Sequence, residues 1–507
     1  MNKVRYILLV GILLCGAALS AQTYEDLGRS SLWSVSDNIA GIRQDTLSAS
    51  YAELFAGYEE GGFRDTWQAV RGWNAGARTA SVRHMDRMSL AGSFSFRQDE
   101  GYDMCGSMFI HPGYYPVDIL EFTPGRKTLQ TYAFDGGISY DLDPRWRVGG
   151  KMDFESANMA KRKDLRHSNW RLDMTVAPGF MFHEGDFAAG AAAIFGKTSE
   201  SVDAEQVGTS ESSYYAFLDK GMMYGTYGVW TGSGLHLDEA GVNGFPVREF
   251  MYGGSAQVQY RDFFADFRYV QTSGAVGEKE FIWFRFPGNE MNLNARYRIA
   301  GRRAGDHHFR LAVARRMQVM DETVLEKVSE NGVTTVIGHG ENRVQSRVMW
   351  TFAPQYEYVY GDLMEISAGA DAGVQESVAS QMYPYVYEQS LAEASAYVGM
   401  ECHVGRFDWG VKGTFGKGWV SEKDRLVSEG SGVQTVPYRL QEWYDRQMEY
   451  RTAPRFRADV MIRYNFDKGI YLRLDAASLQ GFKLQRLLPS DEMDGRLVMT
   501  LSLGLDF

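Results

Sequence analysis

Hydrophobic and polar residues alternate with a period of two along much of the chain. In the segment 455–466, RFRADVMIRYNF, every even-numbered residue is apolar and most odd-numbered residues are charged or polar. The same alternation recurs in 132–142, 291–302, 407–415 and the last residues, 497–507. A period of two sustained over about ten residues predicts β-strands. Strands of about ten tilted residues are long enough to cross the apolar core of a bilayer.

The connections between these segments also alternate, between very short and long. Short turns are predicted near Asp86–Arg87, Leu142–Pro144, His183–Asp186, Arg261–Asp262, Gly305–His307, Gly361–Asp362, Gly405–Arg406 and Asp467–Gly469. Long polar or irregular segments are predicted at 100–126, 199–247, 320–342, 419–452 and 478–494. Short turns at one end and long loops at the other are typical of outer-membrane barrels. Pro178 and Pro354 fall inside predicted strands, where the missing N–H predicts β-bulges.

The pattern therefore predicts an all-β fold, a closed transmembrane antiparallel up-and-down barrel. Eight short turns plus the C-terminal end imply nine hairpins, hence about 18 strands within a range of 16 to 20. We expect short periplasmic turns and long extracellular loops. A soluble β-sandwich is the alternative, but it rarely needs so many hairpins of one length.

Composition agrees with a membrane barrel. Aromatic residues make up 14% of the chain, which has 55 Gly but only 12 Pro. The mean hydropathy of −0.32 would suit a soluble protein, but alternating strands hide their hydrophobicity. Aromatic residues near the short turns predict a girdle at one membrane boundary. They are Tyr140, Trp146, Phe182, Phe187, Tyr260, Phe263, Tyr358, Tyr360, Phe407, Tyr464, Phe466 and Phe507.

The N-terminus reads as a secretory signal peptide, residues 1–21, with a basic head, an apolar run and small residues before the cleavage site. No later segment is long and apolar enough to predict a second membrane helix. We assign 22–46 to an N-terminal periplasmic or lumenal segment and 47–507 to the barrel. Residues 22–46 are too few for the globular plug of large transporters. Residues 31–42, SLWSVSDNIAGI, are a candidate for a small plug in the lumen.

The chain resembles uncharacterised outer-membrane β-barrels of the Bacteroidota type, a domain of unknown function. The resemblance is carried by the Ala21–Gln22 junction, the alternating hairpins and the terminal LSLGLDF. It implies that Leu503, Leu505 and Phe507 form an assembly signal read by the barrel-assembly machinery. It assigns no residue a role in function.

Many charged residues fall on the predicted inward faces of the strands, which implies a polar lumen because an Arg facing lipid is costly. The lumen-lining candidates are Arg268, Arg296, Arg298, Arg310, Lys412, Arg455, Arg457, Arg463, Arg473, Asp266, Asp408, Asp459 and Asp475. The arginines cluster in 290–302 and 455–473, which favours anionic solutes. Alternatively, arginines and aspartates pair across the lumen and merely fill it.

We therefore expect a passive channel or transporter for a small polar or anionic solute, with 199–247 as its constriction. The alternative is a non-conducting accessory or scaffold barrel of an outer-membrane uptake or secretion complex. Its aromatic loops, 109–122 and 212–230, would then bind other envelope proteins. The remaining expected partners are outer-membrane lipid and the assembly machinery. A net charge of −11 argues against nucleic acid.

Candidate catalytic and metal-binding patterns are weak. Nine histidines are scattered along the chain, and GSGLH (232–236) lacks the pattern of a nucleophile elbow. Cys105, in a predicted loop, and Cys402, near a turn at the other end, are too far apart to pair. We expect no enzymatic activity, no cofactor and no metal site.

Overall fold

The computed structural model of the protein describes residues 31–44, 48–205, 214–230, 236–237, 242–278, 281–301, 305–330, 333–360, 363–382, 385–423, 440–484 and 494–507. The predicted signal peptide lies outside the described residues.

Nearly all of the described chain is β-strand. The first seven strands are β1 (Ala49–Gly61), β2 (Arg71–His84), β3 (Met88–Ser107), β4 (Asp118–Asp141), β5 (Trp146–Lys161), β6 (Arg166–Glu184) and β7 (Phe187–Glu205). Two hairpins follow, β8 (Tyr214–Asp219) with β9 (Gly225–Trp230) and β10 (His236–Leu237) with β11 (Val242–Asn243). The remaining strands are β12 (Phe245–Tyr260), β13 (Phe263–Glu278), β14 (Phe281–Ile299), β15 (Asp306–Glu330), β16 (Val333–Tyr360), β17 (Met364–Met382), β18 (Tyr385–Val404), β19 (Phe407–Lys423), β20 (Arg455–Asn465), β21 (Ile470–Gly481) and β22 (Gly495–Asp506). The helices are α1 (Leu440–Thr452) and three short 3-10 turns, Leu32–Val35, Ile39–Gln44 and Asp467–Gly469.

Strands β1–β7 and β12–β22 close into one antiparallel barrel of 18 strands, which confirms the predicted fold. Each strand pairs with the next, β7 pairs with β12, and β22 returns to β1. The closing ladder places Leu54 opposite Leu503. The terminal residue Phe507 completes it, because its N–H donates to the Ser50 carbonyl at 2.9 Å and its carbonyl accepts from the Ser50 N–H at 3.0 Å.

The outer face of the barrel is a continuous apolar band. In β22 the outward side chains are Leu497, Met499, Leu501, Leu503 and Leu505, and Leu501 is 51% exposed. Large exposed hydrophobic side chains occur in the same alternating way on the other barrel strands. Tyr140, Trp146, Tyr260, Phe407 and Phe507 are among the exposed aromatics beside the short turns. Such a surface is stable only where lipid covers it.

None of the helices among the described residues is long and apolar enough to span a membrane.

The eight predicted short turns separate successive strands at one end, the short-turn end, although Gly361–Asp362 lies outside the described residues. At the other end, the loop end, two predicted loops are mostly strand. β3 continues to Ser107 and β4 begins at Asp118, so Cys105 lies in a strand. Neither Cys105 nor Cys402 forms a disulfide, and both are buried. β15 and β16 together run through most of 320–342. Hydrogen bonds between paired strands satisfy the backbone N–H and C=O groups in water as well as in lipid. A polar sequence therefore does not show where these strands end.

The predicted bulges at Pro178 and Pro354 are wrong. Pro178 pairs with Gly150 and Pro354 with Leu311 in unbroken register. The ladder to the strand on the other side, β7 for Pro178 and β17 for Pro354, has no pairs at the proline and at the residue before it. Beyond these two residues it continues in the same register. The missing N–H is therefore accommodated by a local gap in one ladder, without an inserted residue. Register shifts lie elsewhere, for example between Val276 and Gly277.

Candidate functional site

The short helical segment 31–44 lies against the inner wall of the barrel. Trp33 is buried, its ring lies 5.1 Å from that of Phe264, and its indole N–H donates to Gln259 Oε1 at 2.6 Å. Asn38 Nδ2 donates to the carbonyls of Phe180 and Ala191 and to Gln257 Oε1. The segment therefore contacts inward-facing groups of β6, β7, β12 and β13.

Glycines in the wall make room for this segment. A Cβ at Gly149 would lie 2.6 Å from Ile39 Cγ2, and a Cβ at Gly179 would lie 2.5 Å from Asn38 Oδ1. Gly137 and Gly190 are restricted in the same way by Ile39 and Asn38. Four glycines on β4–β7 thus form a groove that the segment fills, so its position is specified by both surfaces.

Part of the predicted lumen-lining set is bound by this segment or by the wall beside it. Arg268 Nε lies 3.2 Å from Asp37 Oδ2, and Arg296 Nη1 donates to the Ser31 carbonyl at 2.8 Å. Asp266 accepts from Ser36 Oγ and Gln257 Nε2. Arg298 pairs with Asp262 at 2.9 Å and Arg310 with Glu357 at 2.7 Å.

The other part lies on β19–β21, in the opposite half of the lumen. Arg457 pairs with Asp459 at 2.7 Å and Arg473 with Asp475 at 2.9 Å. Lys412 Nζ lies 3.9 Å from the centre of the Tyr397 ring. Arg463 bonds to Asp506 and lies 3.7 Å from Asp408, which also bonds to His403. Arg455 shares Glu393 with Arg451 of α1. Most of these cations are thus locally compensated.

Two cavities lie along this second half of the lumen. The upper cavity, about 610 Å³, lies at the loop end and is lined by Arg455, Arg457, Gln389, Trp67 and Trp443 among others. The lower cavity, about 410 Å³, lies nearer the short-turn end and is lined by Lys412, Arg457, Asp459, Arg473 and Asp475 among others. Arg457 lines both cavities, and its side chain is 50% exposed. The side chain of Arg457 therefore borders both spaces.

Three elements cover the upper cavity. Loop 108–117 folds inward, with Phe109, Tyr115 and Val117 buried against the wall. The aromatic side chains of this loop are therefore packed and do not form an exposed surface. The β8–β9 hairpin pairs with the loop end of β4, Asp118 lying opposite Asp219, and contributes Met222 and Met223 to the lining.

Helix α1 is the third covering element. Trp443 packs edge-on against Phe122, with ring centres 5.3 Å apart. The Tyr444 hydroxyl lies 2.8 Å from that of Tyr387 and also contacts Gln389 and Glu422. The helix therefore lies inside the mouth of the barrel, bonded to β18 and β19.

The β8–β9 hairpin should respond to pH through Asp219. Burial raises the pKa of this carboxyl to about 6, although the Gly221 N–H donates to it at 2.8 Å. A raised pKa in the folded state means that stability is greatest below the ordinary value near 4 and is lost as the pH rises through 6. Amide exchange in β8, corrected for intrinsic rates, should be slower at pH 4 than at pH 7. Asp219→Asn should reduce this difference in exchange rate between pH 4 and pH 7, while exchange in β21 should be the same in both proteins. If the variant keeps the wild-type difference, a group other than Asp219 causes it.

The sequence did not reveal several residues of the upper cavity. Gln345 and Arg347 lie on β16 just after the predicted long segment 320–342, and α1 lies within the predicted long segment 419–452, where no helix is predicted. The inward position of Gln345 follows only from the observed extension of β16. Among the described residues, no cluster of His, Cys, Asp and Glu could hold a metal ion.

Several solved structures are distantly similar to the chain. FpvA of P. aeruginosa bound to heterologous pyoverdines is 6% identical, with a TM-score of 0.39 over 91% of this chain and 72% of that one. The copper transporter OprC is 9% identical, with a TM-score of 0.41 over 91% and 80%. OccAB2 of Acinetobacter baumannii is 8% identical, with a TM-score of 0.33 over 91% and 98%. Similarity this distant carries no argument about substrate.

No curated protein matches the chain. A family of unknown function (DUF6850) matches residues 39–507, which include every strand of the barrel. Because this match spans most of the chain, the chain belongs to the DUF6850 family.

Proposed function

We propose that the protein is an outer-membrane barrel that passes a small polar or anionic solute through the half of its lumen lined by β17–β22. The observation that carries this proposal is the pair of cavities that share Arg457 as a lining residue. The apolar outer band supports a position in the membrane, because water cannot cover so much apolar surface cheaply.

Segment 31–44 and the covering elements define the route. The segment occupies part of the other half of the lumen, where it binds Arg268 and Arg296. Solute would enter beside α1 and the β8–β9 hairpin, pass Arg457, and leave along Lys412 and Arg473. The hairpin belongs to 199–247, so the proposed constriction includes residues of that segment. Local ion pairs weaken the field of the arginines, including Arg457, but half of the Arg457 side chain stays exposed beside Asp459, so selectivity would depend mainly on Arg457.

Charge reversal at Arg457 tests this route. Arg457→Glu places two carboxylates, Glu and Asp459, at the junction, so the chloride-to-potassium permeability ratio should fall severalfold. The ratio is obtained from reversal potentials of the purified protein in planar bilayers under a KCl gradient. Arg406→Glu is the matched control, because Arg406 pairs with Asp467 at a short turn outside the lumen. Equal ratios for Arg457→Glu and wild type would exclude Arg457 from the conduction path.

A further inference from the structure

The upper cavity has an unusual wall of amide side chains. Gln345, Gln375, Gln389 and Gln447 all line it. Gln345 is only 5% exposed, and its Oε1 accepts no hydrogen bond from any described residue. Gln375 Nε2 donates to Ser377 Oγ at 3.1 Å. Each amide offers both a donor and an acceptor, the combination that matches hydroxyl groups, which also donate and accept.

The same wall carries positive charge that local acids only partly compensate. Arg347 donates to the carbonyls of Gly113 and Tyr114 at 3.0 and 3.2 Å and also to Gln318. Within the described part of the chain, the hydrogen bonds of Arg347 go to these carbonyl and amide oxygens and to no carboxylate. Arg451 and Arg455 share the single carboxylate of Glu393, at 2.6 and 3.3 Å.

The other acids of the cavity are turned toward local donors. Asp65 accepts from the Thr66 N–H at 2.6 Å, and burial raises the pKa of its carboxyl. Asp118 accepts from Ser107 Oγ at 2.8 Å and from the Ile119 N–H at 2.7 Å. Asp219 accepts from the Gly221 N–H at 2.8 Å. The field inside the cavity is therefore set mainly by the arginines.

Aromatic rings complete the lining. Trp67, Trp443 and Tyr450 lie at the cavity, and Trp67 is only half-buried. A flat aromatic face packs well against the C–H face of a sugar ring, while hydroxyls at the ring edge reach polar side chains. The cavity volume of about 610 Å³ falls in the range of small-molecule sites, about 300–1,000 Å³.

From these contacts we propose that the upper cavity binds an acidic saccharide. Its hydroxyls would bond to Gln345 and Gln375, its carboxylate would pair with Arg457, and a ring would stack on Trp67. This inference deepens the proposed function and rests on it, since it names the solute class that would enter the lumen.

Binding to the full-length mature protein in detergent, measured by titration calorimetry, tests the site. The probes are digalacturonate, its neutral dimethyl ester, and glutarate, which has two carboxylates and no hydroxyls. We expect digalacturonate to bind at least about tenfold more tightly than either comparison ligand, because each lacks one of the two required interactions. No binding by digalacturonate, or equal binding by the ester or by glutarate, would overturn the proposal.

Paired variants place the binding in the cavity. Arg457→Gln and Gln345→Leu should each weaken digalacturonate binding about tenfold or more. Arg97→Gln is the control for Arg457, because Arg97 forms the same kind of pair with Asp99, at 2.6 Å and 53% exposed, outside the cavity. Unchanged binding in both cavity variants contradicts the assignment. Conductance in KCl without saccharide reports on passage alone, so failure of the saccharide site and failure of the channel are distinguishable.

Discussion

Leu501→Arg should destabilise the barrel in a bilayer by about 2–4 kcal/mol, the cost of an arginine facing lipid near the midplane. Leu501 is 51% exposed on the outer face of β22, opposite Ala56 on one side and Leu474 on the other. Neither neighbour can pair with a guanidinium. The free energy of unfolding from lipid vesicles, followed by tryptophan fluorescence in guanidinium chloride, measures this cost.

The adjacent residue supplies the control. Thr500 faces the lumen, lines the lower cavity and lies opposite Asp475, so an arginine there meets water and a carboxylate. Thr500→Arg should change the free energy of unfolding by less than about 1 kcal/mol, like a solvated surface substitution. Equal losses for the two variants, or no loss for Leu501→Arg, would mean that the apolar band does not face lipid.

The double variant Trp33→Ala, Asn38→Ala should release segment 31–44 from its groove and raise the single-channel conductance. Truncating a buried Trp costs about 3–5 kcal/mol, and the lost Asn38 hydrogen bonds add roughly 0.5–1.5 kcal/mol each. These costs fall on a short segment with few other buried side chains, so it should leave while the strand ladders keep the barrel closed. The thermal stability of the barrel should therefore change little.

A second readout reports on the segment itself. Arg43 is bonded to the Asp86 carbonyl and lies 3.1 Å from Asp141, so trypsin should cleave after Arg43 slowly in the wild type and quickly in the double variant. Gln44→Ala, at the end of the same segment, serves as the control. If conductance and cleavage match the wild type in the double variant, the segment does not depend on these contacts.

Sequence patterning predicted the barrel because a membrane strand has two constraints that are local in sequence. Its outward residues must be apolar, as in 497–507. It must also connect to a neighbouring strand through a short turn at one end of the barrel, as at Gly405–Arg406. The same alternation assigned Arg296 and Arg457 to inward faces, where the structure has them.

The partners of those residues could not be predicted, because they depend on register and on contacts between distant segments. Arg296 binds the segment at Ser31, more than 250 residues away, and Arg455 binds Glu393 of β18 across the intervening strand β19. The groove for Asn38 depends on Gly179 and Gly190, which are ordinary strand glycines until β6 and β7 are paired. Helix α1 has a strongly polar sequence, so its burial arises from the barrel mouth around it.

The route past Arg457 is tested most directly by a thiol reagent acting on single cysteines during conduction. Arg457→Cys and Arg296→Cys are compared in planar bilayers, with the wild type as the background because Cys105 and Cys402 are buried. A charged methanethiosulfonate should reduce the current through Arg457→Cys and leave Arg296→Cys, under segment 31–44, unchanged. An absence of current in the folded wild type, or block at Arg296→Cys without block at Arg457→Cys, would contradict the account.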